Sequence, residues 1–351
     1  MPRFALTAMI VRPDDLALSR ITDLALGPVA GTLYSTTRYD GQITQWDITG
    51  PTLAAVADHS FAGTPIAGNA PMLGFVGDTL LSGGGVAGAW TQRAIASDGG
   101  LGGATSLADN FDAPLVQPVT ITHDDGSYSV YAGQNSTAGL LHMPFDVAAT
   151  PTASTVIAQA TAGVVTALST ARITDTNLLF TATTNSVTAW QVDPTGVLTQ
   201  QDRLTSDDGL WVRDITDMVT VTVAGVSYVI VAGAGSDTLT VLETSATGTL
   251  QITDNILDDR HTRFEGVTAL ATATYGDATW LFAGGADDGI SAFEVLPGGR
   301  LMHRAVVADT NDMTLANISA LSATPHATGL TIFAASSTEA GLTRLQLEIS
   351  P

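Results

Sequence analysis

Several residue types are missing from this sequence or rare in it. The chain has no cysteine and no lysine, and aromatic residues make up only 6% of its 351 residues. The absence of cysteine excludes disulfide bonds, thiolate metal sites and a cysteine nucleophile. No apolar run approaches the roughly 18 residues that span a bilayer, so we expect no membrane insertion. The first residues also lack the basic segment, apolar core and cleavage site of a secretory signal peptide.

Positive charge is scarce. All 13 basic residues are arginine, against 34 acidic residues of which 29 are aspartate, and the formal net charge is −21. A field of this sign repels nucleic acid and anionic lipid, so neither is an expected partner, and it attracts cations. Aspartate is common both in β-turns and in cation sites built from oxygen ligands. The composition leaves both explanations of the aspartates open.

An internal repeat predicts the fold. A short apolar segment that ends in small residues occurs seven times, with starts 47 to 52 residues apart. The copies are TLYSTT at 32–37, TLLSGGG at 79–85, SYSVYAG at 127–133, NLLFTAT at 177–183, SYVIVAG at 227–233, TWLFAGG at 279–285 and GLTIFAA at 329–335. Each copy is preceded by one strand-like segment and followed by an alternating segment, and a fourth segment comes next in the clearest repeats.

Four strands in roughly every 50 residues are typical of β-propeller blades. We therefore predict an all-β, seven-bladed β-propeller of four-stranded antiparallel blades, with residues 1–351 forming one domain. Because the apolar copies end in small residues, we expect these strands to lie at the crowded centre of the ring.

The two ends of the chain predict how the ring closes. The seventh repeat has no fourth strand after GLTRLQL at 341–347, and the chain starts with an apolar strand, FALTAMIV at 4–11, that has no blade of its own. We predict that this N-terminal strand completes the last blade, because an open ring would expose two sheet edges.

Aspartates recur where the fourth strand of one blade leads to the next blade. They are Asp58, Asp109, Asp208, Asp259 and Asp309. These connections all lie on one face of a propeller, so we expect a ring of carboxylates there. The ring could bind calcium weakly, or each aspartate could accept backbone N–H bonds in its own turn. The recurrence favours turn formation, since a repeated turn needs the same residue each time.

Two of these connections carry further candidates. His261 and Arg260 lie in LDDRHTRF, where they could serve as a general base and an electrophilic partner. Trp211, in DDGLWVRD, could be a stacking platform for a sugar or an aromatic ligand, with Asp208 and Asp259 as further ligand-binding candidates. The alternative for Trp211 is a structural role in the seam between two blades. The sequence contains neither a nucleophile elbow nor a P-loop, an H-E-x-x-H motif or a calcium-binding D-x-D-x-D-G loop.

The blade sequence GGADDGISAFEVLPGGRL at 284–301 resembles the repeat of lactonase-like seven-bladed propellers, the propeller-type 6-phosphogluconolactonase family. The likeness extends to SVTAWQVDPTGVLTQ at 186–200 and TLTVLETSATGTLQ at 238–251. It implies a hydrolase acting on a small sugar lactone, and Arg260, His261 and Phe264 are similar to the arginine–histidine stretch of that family.

The overall composition, rich in Ala, Thr, Gly and Asp, resembles the N-terminal parts of haemolysin-type calcium-binding (RTX) proteins of alphaproteobacteria. That resemblance implies export without a signal peptide. We therefore predict a non-catalytic extracellular module for binding, adhesion or surface assembly. We expect a protein or carbohydrate partner and no cofactor beyond weakly bound Ca²⁺. The alternatives are a lactonase-like enzyme and a cytoplasmic location.

Overall fold

The computed structural model describes residues 2–11, 16–38, 42–60, 70–86, 89–107, 115–134, 138–153, 155–157 and 163–349. These ranges contain β-strands and two short 3-10 helices, Leu16–Leu18 and Ser206–Asp208, but no α-helix. The strands are β1 (Arg3–Val11), β2 (Ile21–Leu26), β3 (Thr32–Thr37), β4 (Gln42–Asp47), β5 (Ala54–Ser60), β6 (Met72–Val76), β7 (Thr79–Val86), β8 (Ala89–Ala94), β9 (Thr105–Ser106), β10 (Leu115–Thr122), β11 (Tyr128–Gln134), β12 (Leu140–Phe145), β13 (Thr155–Ile157), β14 (Ala167–Ile173), β15 (Thr176–Thr183), β16 (Ser186–Val192), β17 (Leu198–Leu204), β18 (Ile215–Val223), β19 (Val226–Gly233), β20 (Thr238–Thr244), β21 (Leu250–Leu257), β22 (Ala269–Tyr275), β23 (Ala278–Gly284), β24 (Gly289–Leu296), β25 (Arg300–Ala308), β26 (Ile318–His326), β27 (Gly329–Ser336) and β28 (Gly341–Glu348).

The strands form seven four-stranded antiparallel sheets, which are the predicted blades. Blades 1 to 6 contain β2–β5, β6–β9, β10–β13, β14–β17, β18–β21 and β22–β25 in chain order. The first strand of each blade contacts the first strands of both neighbouring blades, so these seven strands surround a central channel. The prediction of a seven-bladed β-propeller is confirmed.

Blade 7 closes the ring with the N-terminal strand, as predicted. Its sheet order is β1-β28-β27-β26, and β1 pairs antiparallel with β28 from Arg3↔Glu348 to Val11↔Gly341. A bulge at Thr7 interrupts this register. The Thr7 hydroxyl donates to the carbonyl of Arg344 and accepts from its Nε, both at 3.2 Å. The closing strand is therefore held by side-chain contacts as well as by the backbone ladder.

The apolar repeat does not lie at the centre of the ring, so that expectation was wrong. The repeat forms the second strand of each blade, and every residue of β3 and of β27 is buried there. A second strand is covered on both faces by the neighbouring blades and on both edges by its own sheet, which explains its apolar sequence. The central channel is lined by the preceding strand, whose hydroxyl and carboxyl groups face neighbouring blades and solvent.

Hydroxyl groups join the innermost strands. The Thr22 hydroxyl donates to the carbonyl of Pro71 at 2.7 Å, and Ser319 donates to Ile21 at 2.6 Å. The Thr216 hydroxyl makes the equivalent bond, at 2.6 Å, to a carbonyl of the next blade. A partly buried hydrogen bond of this kind contributes about 1 kcal/mol, so the repeated hydroxyl stabilises contacts between neighbouring blades.

The hydrophobic core lies in the seams between blades. Between blades 5 and 6 it contains Ile230, Leu239, Leu281 and Phe293, together with Phe264 from the connection. The Phe264 and Phe293 rings meet edge to face, with centroids 5.8 Å apart. The connections are thus anchored in the core, which fixes the loops on that face of the ring.

Candidate functional site

The face that carries the connections between blades, together with the turns between second and third strands, is called the connection face below. Four of its connections share one geometry. A residue with positive φ precedes the first strand of the blade: Arg20, Asp214, Gly266 and Asn317. Two positions earlier an apolar side chain is buried: Leu18, Val212, Phe264 and Leu315. The four connections can therefore be compared position by position.

Trp211 departs from this shared geometry. The residues at the same position of the other connections are Ala17 and Thr314, which are buried, and Arg263, which is half-buried. Trp211 is 73% exposed, although its neighbours Leu210 and Val212 are buried. The structure therefore excludes a role for Trp211 in filling the seam between blades, because its neighbours already do so.

A shallow depression of about 430 Å³ surrounds Trp211. Its lining is mainly apolar, and Asn185, Ser206, Arg213 and Ser236 are the polar residues that border it. The backbone N–H of Arg213 donates to the Ser236 hydroxyl at 3.1 Å, and its guanidinium donates to the carbonyl of Gly235. An exposed aromatic ring beside fixed polar groups is suited to stacking on a ligand while hydrogen bonds orient it.

Asp208 lies beside this depression, but its carboxylate is engaged in the turn. Its Oδ2 accepts from the backbone N–H of Thr205 at 3.0 Å and from the Thr205 hydroxyl at 2.9 Å. The Thr205 side chain in turn accepts from the backbone N–H of Asp207. This reciprocal capping box satisfies the first N–H groups of the 3-10 helix, which is a structural use of both side chains.

The other predicted carboxylates also bond within their own blades or connections. Asp259 accepts from the backbone N–H of His261 at 2.7 Å, Asp309 from that of Leu315 at 3.0 Å, and Asp58 from the Thr44 hydroxyl at 2.8 Å. Asp109 lies outside the described residues.

The structural counterpart of Asp309 is Asp258, not the predicted Asp259. The Asp258 carboxylate accepts from the backbone N–H of Phe264, six residues on, as Asp309 does from Leu315. Burial raises the pKa of Asp258. Among the described residues, no three histidine, aspartate or glutamate side chains are grouped in a way that could hold a metal ion.

His261 and Arg260 are exposed side chains that contact each other. The Arg260 Nε donates to His261 Nε2 at 3.0 Å, which occupies the basic nitrogen of the imidazole. Within the described part of the chain, no carboxylate hydrogen-bonds to this ring to orient it. Arg263, on the same loop, is paired with Asp287 at 3.1 Å. The described residues therefore place an arginine, and no orienting carboxylate, against the His261 ring.

The central channel contains two carboxyl groups that the sequence analysis did not single out. Asp23 and Asp217 line a cavity of about 140 Å³. Each carboxylate accepts two backbone N–H groups, at 2.7 to 2.8 Å. One N–H belongs to the next residue in the chain, and the other belongs to the neighbouring blade, Leu73 for Asp23 and Leu270 for Asp217. Burial raises the pKa of each carboxyl to about 6. These groups join blades 1 and 2 and blades 5 and 6.

Solved structures share this architecture at low sequence identity. A protein from Lactobacillus plantarum is 17% identical, with a TM-score of 0.63 and 86% of each chain covered. A candidate 6-phosphogluconolactonase from Bacteroides fragilis is 15% identical, with a TM-score of 0.63 and 85% of each chain covered. Raptor from Chaetomium thermophilum is 11% identical, with a TM-score of 0.66, and the match covers 99% of this chain but 29% of Raptor. These similarities show the fold alone.

No protein-family model and no curated protein matches the sequence. Within the described ranges there is also no helix of the length and hydrophobicity needed to cross a membrane.

Proposed function

We propose that the protein is a non-catalytic binding module and that its connection face, around Trp211, binds a carbohydrate or protein surface. The exposure of Trp211 carries this proposal. At the equivalent position Ala17 and Thr314 are buried and Arg263 is half-buried, whereas Trp211 presents its indole ring to solvent, where a partner can cover it. Tryptophan is among the residues that contribute most to binding in interfaces.

The surroundings of Trp211 favour a neutral, hydroxylated partner. Arg213 and Asp214 form an exposed ion pair at 3.8 Å, so the positive charge beside the indole is partly offset. Ser206, Ser236 and Asn185, which carry hydroxyl and amide groups, also border the depression. A sugar ring could stack on the indole while its hydroxyls bond to that rim.

The working environment belongs to the same proposal. We infer export to the cell surface or medium from the absence of cysteine and lysine and the net charge of −21. Fractionation of the native organism tests it, because recovery in the cytosol alone would contradict export.

Substitution of Trp211 gives the direct test of the site. The other four tryptophans, Trp46, Trp90, Trp190 and Trp280, are buried, so acrylamide quenching of tryptophan fluorescence reports mainly on Trp211. We expect a glycan array to identify a ligand that protects this fluorescence. The Trp211→Ala variant should then bind that ligand at least about tenfold more weakly, the change expected when a stacking contact worth 1.4 kcal/mol or more is lost.

Val197→Ala is the matched control. Val197 is an exposed apolar residue in the turn between the third and fourth strands of blade 4, on the face opposite Trp211. Its substitution should leave both quenching and affinity unchanged. Equal ligand affinity in wild type and Trp211→Ala would contradict the proposed site.

The alternative function is a lactonase-like hydrolase that acts on a small sugar lactone. Its support is the blade sequence and the structural similarity to the Bacteroides protein, and both of these concern the fold. Turnover of sugar lactones that disappears in His261→Ala would favour the enzyme over the binding module. Turnover that is absent, or equal in both proteins, would remove His261 from consideration.

A further inference from the structure

Arg344, in β28 of blade 7, is a buried cation that no acidic side chain of the described residues neutralises. Its side chain is 7% exposed, and the ion pairs among the described residues do not include it. Its guanidinium donates to the carbonyls of Gly50, at 2.8 Å, and Pro51, and to the Thr7 hydroxyl at 3.2 Å. All of these acceptors are neutral.

Neutral acceptors orient a guanidinium but do not balance its charge. Buried charges in proteins are normally paired or bound to a counter-ion. Burial lowers the pKa of Arg344, in keeping with an uncompensated charge. A guanidinium has five N–H donors, and the contacts with Gly50, Pro51, Thr7 and a long one of 3.5 Å to Ile48 leave at least one of them available.

Arg344 borders a cavity of about 540 Å³ between blades 7 and 1, on the face opposite the connection face. The strand register places a row of polar side chains on this side of blade 7. Thr331 is paired with Thr324 on one side and with Gln346 on the other. His326 lies two residues after Thr324, and Arg344 lies two residues before Gln346. Alternate residues of a strand share one face, so all five side chains belong to the same surface of the blade.

The same positions of blade 5 show what a purely structural seam contains. Blades 5 and 7 have the same strand register, so positions 324, 326, 331 and 344 correspond to 221, 223, 228 and 241. The blade 5 residues are all members of one buried apolar cluster: Val221, Val223, Tyr228 and Val241. In blade 7 the corresponding residues are two threonines, a histidine and an arginine, and a cavity borders them.

Two of these polar groups have no hydrogen-bond partner among the described residues. Thr331 is 8% exposed, yet within the described residues its hydroxyl makes no hydrogen bond. His326 accepts from the backbone N–H of Thr328 through Nδ1 at 3.2 Å, which leaves the proton of the neutral ring on Nε2. That Nε2 is buried, and no described residue hydrogen-bonds to it. The seam thus holds a cation and unpaired polar groups beside a cavity of ligand size.

We propose that the cavity between blades 7 and 1 binds a small anion through a carboxylate or phosphate group. Arg344 supplies the charge and an N–H donor, and Thr331 and Gln346 supply further donors. Carboxylate and phosphate are the groups that a guanidinium recognises best. A cavity of this volume also accommodates the remainder of a small metabolite.

Inorganic phosphate and citrate are suitable probes, with sodium chloride of equal ionic strength as the reference. We expect one or both to bind saturably by calorimetry and to raise the melting temperature of the wild type above the chloride reference. Binding of phosphate alone or of citrate alone would support the proposal and identify the preferred group. No saturable binding of either probe would overturn it.

Two variants locate the binding. Thr331→Tyr introduces the side chain that fills the equivalent seam of blade 5, so it should fold and should abolish binding. Arg344→Gln should raise the dissociation constant at least about tenfold, as expected for loss of a charge-assisted contact. If Arg344→Gln fails to fold, the result for Thr331→Tyr decides the question. Undiminished binding in Thr331→Tyr would overturn the site.

His261→Ala, on the connection face, is the control and should bind the probes like wild type. This inference is independent of the proposed function, because Trp211→Ala should also leave anion binding unchanged.

Discussion

At the scale of single residues, Asp23 and Asp217 give the protein a pH dependence of stability. Burial raises the pKa of both carboxyls from 3.8 to about 6, so the folded state holds protons that the unfolded chain releases. The free energy of unfolding should therefore fall as the pH rises from about 4 to about 6. Asp23 and Asp217 are half-buried residues that line the channel cavity, so we expect a loss of about 1 to 3 kcal/mol for the pair, less than full burial would give.

Denaturant unfolding of wild type and Asp217→Asn between pH 4 and pH 8 measures this effect. The difference between the two proteins is the informative quantity, because His142 acts in the opposite direction. Burial lowers the pKa of His142 to about 4, which destabilises the folded state as the pH falls below about 6.5. A difference between the proteins that does not change from pH 4 to pH 7 would contradict the assignment to Asp217.

Residue identities predicted the candidate site only in part. The sequence pointed to Trp211 but left open whether it is exposed or fills a seam; the structure shows it exposed, and its ligand-binding role stays a prediction. The pattern ITDL at 21–24 and ITDM at 215–218 was visible and could have identified Asp23 and Asp217, since each places an acid within an apolar strand. The choice of Asp259 over Asp258 could not have been corrected from the sequence, because the deciding N–H belongs to Phe264, six residues away.

At the scale of strands, the repeat predicted each blade but not the position of each strand within it. Hydrophobicity reports burial, and the second strand is the most buried. The centre of the ring is marked instead by Thr22, Thr216 and Ser319, whose bonds to the next blade depend on tertiary structure. The polar row of blade 7 could not be predicted from the sequence either, because Arg344 is recognised as a buried charge only when the structures of the blades are compared.

Removal of β1 should destabilise the ring. Deletion of residues 2–11 removes the ladder to β28, uncovers its edge and takes the Thr7 hydroxyl from Arg344. We expect the melting temperature to fall by at least about 5 °C, since several kcal/mol of pairing are lost. Thermal unfolding followed by circular dichroism measures the change.

Thr7→Val is the matched control for that deletion. It keeps the strand and removes only the hydroxyl, so it should cost about 1 kcal/mol. A deletion variant as stable as wild type would contradict the structural role of β1.

At the scale of the whole molecule, the net charge is the dominant influence on stability. With a net charge of −21, mutual repulsion opposes the compact state, and added salt should raise the melting temperature through screening.

Calcium should have no effect beyond this screening, because the described carboxylates of the predicted ring bond within their own blades. We expect calcium chloride and sodium chloride at equal ionic strength to shift the melting temperature by amounts within about 1 °C of each other. Differential scanning calorimetry makes the comparison. A larger rise in melting temperature with calcium, if it is lost in the Asp309→Asn variant, would instead support the sequence-based prediction of weak calcium binding.

The closure of blade 7 also determines how the chain can reach its native state. Thr7 and Arg344 are 337 residues apart, whereas blades 1 to 6 consist of contiguous strands. Contacts between distant segments carry the largest loop-closure entropy, so we expect the pairing of β1 with β28 to form slowly and late in folding. Until it forms, β28 is an open sheet edge that accepts β1 from any molecule. At high protein concentration this pairing can occur between chains and join incomplete rings into domain-swapped oligomers.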